Sequence, residues 1–320
     1  MTTTRQVVAG HNTRFAMAAE DDFASLPDAP DWFVPGYDTS ITQKEGSHQA
    51  TKLFATNSRE ATEIIEEMFD GTLNVEFVLS GPEFIEFVIA AGDGGSPETF
   101  EGDFPTSGVA VIGNEVRDNE DVLTGLVCSD FEVSCDVPGE FEVSLDFAYA
   151  NAETDRAGVG TSGPADQPSP SGEPMTFTEA SYKVGDTEIE LVSNASLSVS
   201  NNPDLVGDFG TNVAVDYSPK EREVDSSYSK VDKASPAVDE REALYGGADS
   251  VGGNDAREDG LVFEASDGTR TITFETGPSI LDSLSEDNLG DPENDVELSP
   301  DRTARRDGDT PAIRATAEGF

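Results

Sequence analysis

Histidine, the side chain on which most catalytic triads depend, is scarce in this sequence. The chain contains two histidines, His11 and His48, and neither lies in a recognisable Ser-His-Asp context. No G-x-x-x-x-G-K-[ST] segment is present, so a phosphate-binding loop of that type is excluded. With 65 Asp and Glu residues, acidic residues occur in pairs by chance, so such a pair is not evidence for a catalytic site. We therefore expect a protein that is not an enzyme and has no catalytic residue.

Two cysteines, Cys128 and Cys135, lie close together in the sequence. Successive side chains on a regular strand alternate between its faces, so their odd spacing predicts opposite faces and no disulfide within the strand. Cys135 shares its parity with Phe131 and Val133 and is interpreted as a small core residue. A zinc site would need further ligands nearby, and only the two distant histidines exist. We expect structural cysteines, no metal and no cofactor.

The most acidic segment is 282–301, in which eight of twenty residues are Asp or Glu. Carboxylates alternate in its densest part, at Asp291, Glu293, Asp295 and Glu297. Oxygen ligands suit Ca²⁺, but the segment lacks the glycine that an EF-hand loop needs at its sixth position. A solvated loop or an edge strand is favoured, and a metal site stays open as the alternative.

The net charge of the chain is extreme. Lys and Arg number 19 against 65 Asp and Glu, which leaves a formal charge of −46 on 320 residues. Such a surface repels nucleic-acid phosphates and excludes a DNA-binding protein with a basic groove. Hydrophobic residues still make up 36% of the chain, and 18 residues are Phe, so a core can form.

Salt explains this charge best. Molar salt shortens the Debye length to about 3 Å and screens the repulsion between the acids. Lys is scarce, with six residues, and acidic excess with scarce Lys favours a protein that works in near-saturated brine. A calcium-dependent acidic protein is the alternative. No apolar run reaches the roughly 18 residues of a membrane span, and polar residues 11–14 interrupt any signal-peptide core. We therefore expect no membrane partner and a protein kept inside the cell that makes it.

Alternation of apolar and polar residues predicts a β-hairpin in the middle of the chain. Residues 130–137 alternate with a period of two, Pro138-Gly139-Glu140 supply a turn, and 141–149 alternate again. One face of this hairpin is acidic and the other is apolar, so the apolar face should be buried. The predicted core residues of the hairpin are Phe131, Val133, Phe141, Val143, Leu145 and Phe147.

Upstream of the hairpin, the sequence predicts one strand and two short helices. Ser58 is expected to cap a helix in which apolar residues recur at helical spacing up to Phe69. A turn at Asp70-Gly71 then leads into a strand over 73–79. Residues 82–91 predict a second helix, with Pro82 in its first turn. Either short apolar segment could instead be a core strand.

Downstream, residues 155–174 are rich in Gly, Pro and Ser and are typical of a linker. Strands are predicted over 187–192, 196–200, 212–217, 260–265 and 269–275, with a hairpin turn at 266–268. Residues 218–258 predict a long loop with one short helix. We therefore predict a mainly β protein with two β-sandwich domains, 1–154 and 175–320, duplicated in tandem.

The order of these elements resembles that of the tail tube (major tail) proteins of long-tailed viruses. The resemblance covers most of the chain and is carried by the segments SITQKEG, GTLNVEFVLSGPEFIEFVIAAG, LTGLVCSDFEVSCDVPGEFEVSLDFAYA and TEIELVSNASLSVSNNPDL. The acidity departs from the family and fits a tailed virus of haloarchaea.

The resemblance implies a β-sandwich or barrel-type protomer with short flanking helices. Such protomers form homo-oligomeric rings that stack into the hollow tail tube through which the genome passes. It also implies a place in the virion tail after assembly in the host cytoplasm. The implied partners are the tape measure, terminator and tip proteins, with viral DNA present only in transit.

Two tube domains in each chain would make a three-chain ring pseudo-sixfold. The candidate contacts between rings are the loops 43–60 and 202–233, together with cations there and near the C-terminus that could fix register on an acidic neighbour. Scattered solvated cations are an equal alternative. These candidates are Lys220, Arg222, Lys230, Lys233, Arg302, Arg305, Arg306 and Arg314.

Three other classes of protein stay open. A capsid or tail-terminator protein would have a similar β-sandwich composition. A haloarchaeal surface or adhesion module would also be acidic, but it would need a secretion signal. A halophilic hydrolase would need a catalytic constellation, and the sequence contains none that we recognise.

Overall fold

A computed structural model describes residues 13–53, 60–61, 63–91, 98–114, 119–156, 168–232, 244, 259–289 and 295–320. These residues form a mainly β protein. The strands are β1 (Thr13–Ala19), β2 (Gly36–Leu53), β3 (Glu63–Leu79), β4 (Glu98–Phe100), β5 (Gly108–Asn114), β6 (Asn119–Asp136), β7 (Phe141–Tyr149), β8 (Asn151–Arg156), β9 (Ser181–Val184), β10 (Thr187–Glu188), β11 (Val192–Ser200), β12 (Asp204–Val206), β13 (Asp216–Ser218), β14 (Glu223–Val231), β15 (Leu261–Ser266), β16 (Thr271–Thr276), β17 (Ser279–Asp287), β18 (Glu297–Ala304) and β19 (Ile313–Glu318).

Two antiparallel sheets stack face to face. Eight strands of the large sheet run in the order β17-β18-β14-β11-β6-β7-β3-β2, and β1, β5 and β8 join it through β6. The small sheet runs β10-β9-β15-β16-β19-β4. Aromatic rings join the two layers, with centroid distances of 5.7 Å for Phe131 and Phe274 and 5.2 Å for Phe141 and Phe263. The predicted β-sandwich is therefore present.

The central hairpin consists of β6 and β7. Its register places Phe131 opposite Leu145 and Val133 opposite Val143, and burial alternates along β7 with a period of two. The alternation follows from the pleat, which points every second side chain into the core. All six predicted core residues of the hairpin are buried: Phe131, Val133, Phe141, Val143, Leu145 and Phe147.

Both helices predicted upstream are wrong. The segment after Ser58 belongs to β3, which runs from Glu63 to Leu79 without a turn at Asp70-Gly71 and pairs with β2 along its length. Within 82–91 the helix is limited to one 3-10 turn, Ile85–Phe87, packed into the core. A second 3-10 turn lies at Phe177–Glu179.

The second half differs from the sequence prediction in three places. The strand predicted over 187–192 is only β10, and the strand predicted over 212–217 is only β13 at Asp216–Ser218. The loop predicted over 218–258 contains β14, a strand between β11 and β18. Of residues 233–258, where its short helix is expected, the structure describes only residue 244, which is helical, and most of the predicted linker lies outside the described residues. The hairpin of β15 and β16 is present, with Gly268 at φ +84° in its turn.

Both cysteines face the core, contrary to the prediction of opposite faces. The pairing of β6 with β7 shifts between Cys128 and Asp130. The additional residue at this bulge resets the alternation, so Cys128 and Cys135 both point inward and both are buried, free thiols. Burial raises the pKa of the Cys135 thiol to about 11 and raises that of Cys128 as well.

The large sheet crosses the predicted domain boundary. Strands β6 and β11 lie on opposite sides of residues 155–174 in sequence and pair directly, from Asn194 opposite Asp136 to Ser200 opposite Asp130. One cluster of buried apolar residues also includes members of both halves. The division into domains 1–154 and 175–320 stays a prediction, and any two units share one sheet and one core.

Candidate functional site

The eight-stranded path contains one strand order twice. In the first half, the hairpins β2-β3 and β6-β7 are arranged as β2-β3-β7-β6. In the second half, β11-β14 and β17-β18 are arranged as β11-β14-β18-β17. In each half the two strands of the first hairpin come first in the sheet. The second hairpin follows in reverse, with its later strand (β7 or β18) before its earlier strand (β6 or β17). We call these four-strand sets the first and second units.

Local details also match between the two units. Strand β7 reads EVSLDF and β18 reads ELSPDR, so Glu, Ser and Asp recur at the same spacing on one face. The β6–β7 ladder shifts between Cys128 and Asp130, and the β17–β18 ladder shifts between Leu281 and Ser283. In each unit, therefore, the bulge lies on the same strand and at the same distance from the shared Asp.

One face of the large sheet is polar and exposed or half-buried. In strands β3, β6, β7, β11, β14 and β18, every second residue points away from the small sheet, because the alternate residues fill the core. We call this surface the polar face. It comprises Asn74, Glu76, Asp130, Glu132, Ser134, Asp136, Glu142, Ser144, Asp146, Asn194, Ser196, Ser198, Ser200, Glu223, Asp225, Ser227, Ser229, Glu297, Ser299, Asp301 and Thr303.

Hydrogen bonds between neighbouring strands hold the side chains of the polar face. Asn74 Nδ2 donates to Asp146 Oδ1 at 2.8 Å, and Asn194 Nδ2 donates to Asp136 Oδ1 at 2.9 Å. Hydroxyl pairs such as Ser196 and Ser227 lie 2.9 Å apart. Cross-strand pairs of this kind stabilise a sheet, so amide and hydroxyl donors satisfy these acids without a cation.

The two cations of those six strands lie on the opposite, buried side. Lys230 is 4% exposed and Arg302 is 1% exposed. The Lys230 Nζ lies 5.8 Å from the Tyr228 ring centroid, a distance at which a cation is attracted to the ring. Because both side chains are buried, neither one places a positive charge on the surface where a neighbouring chain could contact it.

Four of the other predicted contact cations, Lys220, Arg222, Arg305 and Arg306, lie close together at one end of the second unit. Lys220 pairs with Asp204 at 3.1 Å, and Arg306 donates to both carboxylate oxygens of Asp103 at 2.9 and 3.1 Å. Arg222 donates to Asn201 Oδ1 at 2.9 Å and to the Gly102 carbonyl, and desolvation lowers its pKa.

Lys220, Arg222, Arg305 and Arg306 line one surface cavity of about 730 Å³, together with Asp103, Glu221, Glu223 and Asp225. We call it the cationic cavity after its four cations, although its lining also contains these four acids. Arg314 lies outside it and pairs with Glu101 at 2.8 Å. Lys233 lies outside the described residues.

Both loops predicted to reach a neighbouring ring, 43–60 and 202–233, contain strands, and residues 54–59 and 233 lie outside the described part of the chain. Residues 43–53 continue β2, and 202–233 contain the small β12-β13 hairpin followed by β14. Phe209, at the tip between β12 and β13, is fully exposed. Sequence analysis missed this exposed aromatic residue, although the NNPDL turn and Gly210 beside it mark the loop.

The described residues contain no arrangement suited to metal chemistry. No group of three or more His, Cys, Asp or Glu side chains in the described ranges could hold a metal ion. Of the acidic segment 282–301, β17 forms an edge of the sheet and 290–294 lie outside the description. None of the helices in the described part of the chain has the length and apolar character needed to cross a membrane.

Comparison with known families decides the class of protein. A family model described as a phage tail tube protein matches residues 10–299. The chain belongs to that family. The resemblance found in the sequence is therefore confirmed, and the protein is a structural component of a virion tail. No curated protein matches this tail tube chain.

Proposed function

We propose that this tail tube protein closes into rings that stack into a hollow tube, with the polar face of the large sheet lining the lumen. The observation that carries the proposal is the polar face itself. The opposite face of the large sheet packs on the small sheet, so the polar face is the broad surface of the large sheet that is left for solvent or for a passing molecule.

Such a lumen would suit the passage of DNA. Carboxylates repel phosphates, and a surface without exposed cations gives the genome nothing to bind as it slides. Several of the acids, such as Asp136 and Asp146, accept hydrogen bonds from neighbouring amides, which orders that part of the wall. DNA is therefore a molecule in transit, and the lasting partners are other copies of the chain and further tail proteins: tape measure, terminator and tip.

The repeated strand order supports a ring of three chains. Each chain would contribute two units, related by an ancient tandem duplication, and three chains would give six similar units around the lumen. A head-to-tail contact between rings would repeat along the axis, since an interface that does not close generates a filament. The cationic cavity is our candidate for part of that contact, received by an acidic surface of the next ring.

The acidic composition supports a virus whose host lives in brine. With a net charge of −46, the assembled tube would be strongly self-repelling in dilute buffer and screened in molar salt. Assembly in the cytoplasm of a salt-loving archaeal host follows from this view.

Negative-stain electron microscopy of the purified, concentrated protein in molar KCl tests the proposal. We expect hollow tubes or stacked rings, with three chains per ring in end-on averages. Closed shells would favour a capsid role, and a true sixfold ring would refute the three-chain arrangement. Compact monomers at every concentration would count against self-assembly of this chain alone.

A further inference from the structure

We infer that β17 of one chain pairs with β2 of the next, and that this junction copies the β6–β11 junction inside each chain. The inference rests on the proposed ring, and it specifies which edges and which residues meet. The occupant of each free edge is thus a second copy of this chain.

Both edges are available. In the eight-stranded path, β2 and β17 are the end strands, and each has one hydrogen-bonded neighbour among the described residues, β3 and β18 respectively. Most described residues on the outer part of β2 are exposed or half-buried. An unpaired edge is a template for another strand, so a soluble tube protein must cover these two edges.

Strand direction permits the pairing. All seven junctions along the path are antiparallel, so the two end strands of an even-numbered path point in opposite directions. A second chain placed after β17 with the same orientation therefore continues the alternation, and its β2 meets β17 as an antiparallel neighbour.

The repeat supplies the template for this contact. Strand β6 ends the first unit and β17 ends the second, whereas β11 begins the second unit and β2 begins the first. The internal junction joins an ending strand to a beginning strand. The junction between chains would join the same two types of strand.

The bulges align the two ending strands residue by residue. Asp130 follows the bulge in β6, and Ser283 follows it in β17. Continuing in steps of two along each strand, the residues on the polar side correspond as Asp130 to Ser283, Glu132 to Ser285 and Ser134 to Asp287.

The ladders align the two beginning strands. Gln43 lies in line with Asn74 and Asp146, and Ser196 lies in line with Ser227 and Asp301. Because Asp146 and Asp301 occupy the same place in their units, Gln43 corresponds to Ser196. It follows that Glu45 corresponds to Ser198 and Ser47 to Ser200.

These equivalences fix the register between chains. Inside the chain, Ser134 lies opposite Ser196, Glu132 opposite Ser198 and Asp130 opposite Ser200. The copied register places Asp287 opposite Gln43, Ser285 opposite Glu45 and Ser283 opposite Ser47 of the next chain.

The chemistry of these pairs is compatible. A carboxylate meets an amide at Asp287 and Gln43, as Asp136 meets Asn194 inside the chain at 2.9 Å. A carboxylate meets a hydroxyl at Glu45 and Ser285, as Glu132 meets Ser198. A slip by two residues would instead place Asp287 opposite Glu45, and like charges directly opposite one another destabilise a sheet.

Cysteine crosslinking in assembled tubes tests this register. The double variant Glu45→Cys with Ser285→Cys is the main test, and Gln43→Cys with Asp287→Cys is a second matched pair in case the first impairs assembly. Ser47→Cys with Asp287→Cys is the mismatched control, because four residues of offset separate the sulfurs by about 13 Å along the strands. The buried native thiols, with raised pKa values, should contribute little background.

Tubes are first imaged by electron microscopy, then oxidised mildly and separated by non-reducing gel electrophoresis. We expect the matched pairs to convert most of the protein into linked dimers and closed rings and the mismatched pair to stay monomeric, since a disulfide needs Cα atoms within roughly 7 Å. If tubes form but the matched pairs do not link, or the mismatched pair links as readily, the inferred junction is wrong and the tube function stands. If the wild-type chain forms neither rings nor tubes, the proposed function fails and this junction fails with it.

Discussion

A half-buried carboxylate near the N-terminal end of the described chain makes folding stability depend on pH. Glu20 follows β1, and its carboxylate accepts hydrogen bonds from the Gly125 N–H at 2.7 Å and the Ala24 N–H at 3.0 Å. Desolvation nevertheless dominates and raises the pKa of Glu20 from 4.5 to about 7. Gly125 lies within β6 at φ +68°, so Glu20 connects the end of β1 to this position of β6.

The direction and size of the effect follow from linkage. The folded state holds the Glu20 proton up to about pH 7, whereas the unfolded state releases it near 4.5. Between these values the unfolded state binds fewer protons, so this group lowers stability as pH rises. At about 1.4 kcal/mol per unit of pKa, the loss between pH 5 and pH 8 is about 2 to 3 kcal/mol.

Glu20→Gln should remove this dependence. The amide keeps one acceptor oxygen and has no charge to desolvate, so its stability relative to wild type should improve by about 2 to 3 kcal/mol between pH 5 and pH 8. Denaturant unfolding in molar KCl, followed by circular dichroism at both pH values, measures the difference. Asp21→Asn removes the same charge from an exposed neighbour and controls for the change in net charge. A constant difference between Glu20→Gln and wild type across this range would refute the reasoning.

Four further results are expected. Dialysis from molar KCl into low salt without chelator should unfold the chain, and retention of its circular dichroism signal would contradict the brine interpretation. Phe131→Ala should cost about 3 to 5 kcal/mol of unfolding free energy, because a fully buried ring that contacts Phe274 leaves a cavity; Glu132→Ala on the polar face is its control. Gly71→Ala should cost about 1 to 3 kcal/mol from overpacking, since a Cβ there would lie 2.3 Å from the Tyr149 ring, and unchanged denaturant midpoints would count against it. Lys220→Glu should shorten or abolish tubes in electron micrographs while the chain stays folded, whereas Lys183→Glu makes the same charge change outside the cationic cavity and should leave tubes intact.

Local pattern was sufficient for the central hairpin but not for β3. In 130–149 the alternation and the Pro-Gly turn agree, so local preference and sheet pairing give one answer. Ile64, Ile65 and Met68 have helical spacing, yet β3 pairs with β2 as far as Leu53 opposite Glu63. Pairing with a distant strand overrides local preference. A short sequence window contains no information about that partner.

The turn predicted at Asp70-Gly71 failed for a packing reason. Gly71 lies opposite Tyr149 in the β3–β7 ladder, and its missing side chain leaves room for the Tyr149 ring. The Tyr149 hydroxyl then donates to the Glu45 carbonyl on β2 at 2.6 Å. A glycine that serves as space for an aromatic ring has the same sequence signature as a glycine in a turn.

The candidate site was only partly predictable for a related reason. The acidic face of the hairpin follows from its alternation, and so does part of the polar face. Its extension across β11, β14 and β18 depends on strand order, which local sequence does not specify. The burial of Lys230 and Arg302 likewise depends on which face of β14 and β18 meets the core.

Comparison of the two units shows where a tube protein can diverge. On the polar face, Glu142, Ser144 and Asp146 recur as Glu297, Ser299 and Asp301. On the buried side, Lys230 of β14 occupies the position of Phe77 of β3, and Arg302 of β18 occupies the position of Phe147 of β7, as the ladders align them.

This contrast fits a shared lumen. In a three-chain ring, all six units would meet the same DNA. This accounts for the Glu, Ser and Asp that β7 and β18 share, whereas other polar-face positions, such as Asp130 and Ser283, stay polar but differ in identity. The buried side of each unit packs against different parts of its own chain, so it is free to differ. Asp301→Lys should therefore reduce genome passage in virions more than it reduces the free energy of unfolding, because it changes an acid that both units carry on the polar face.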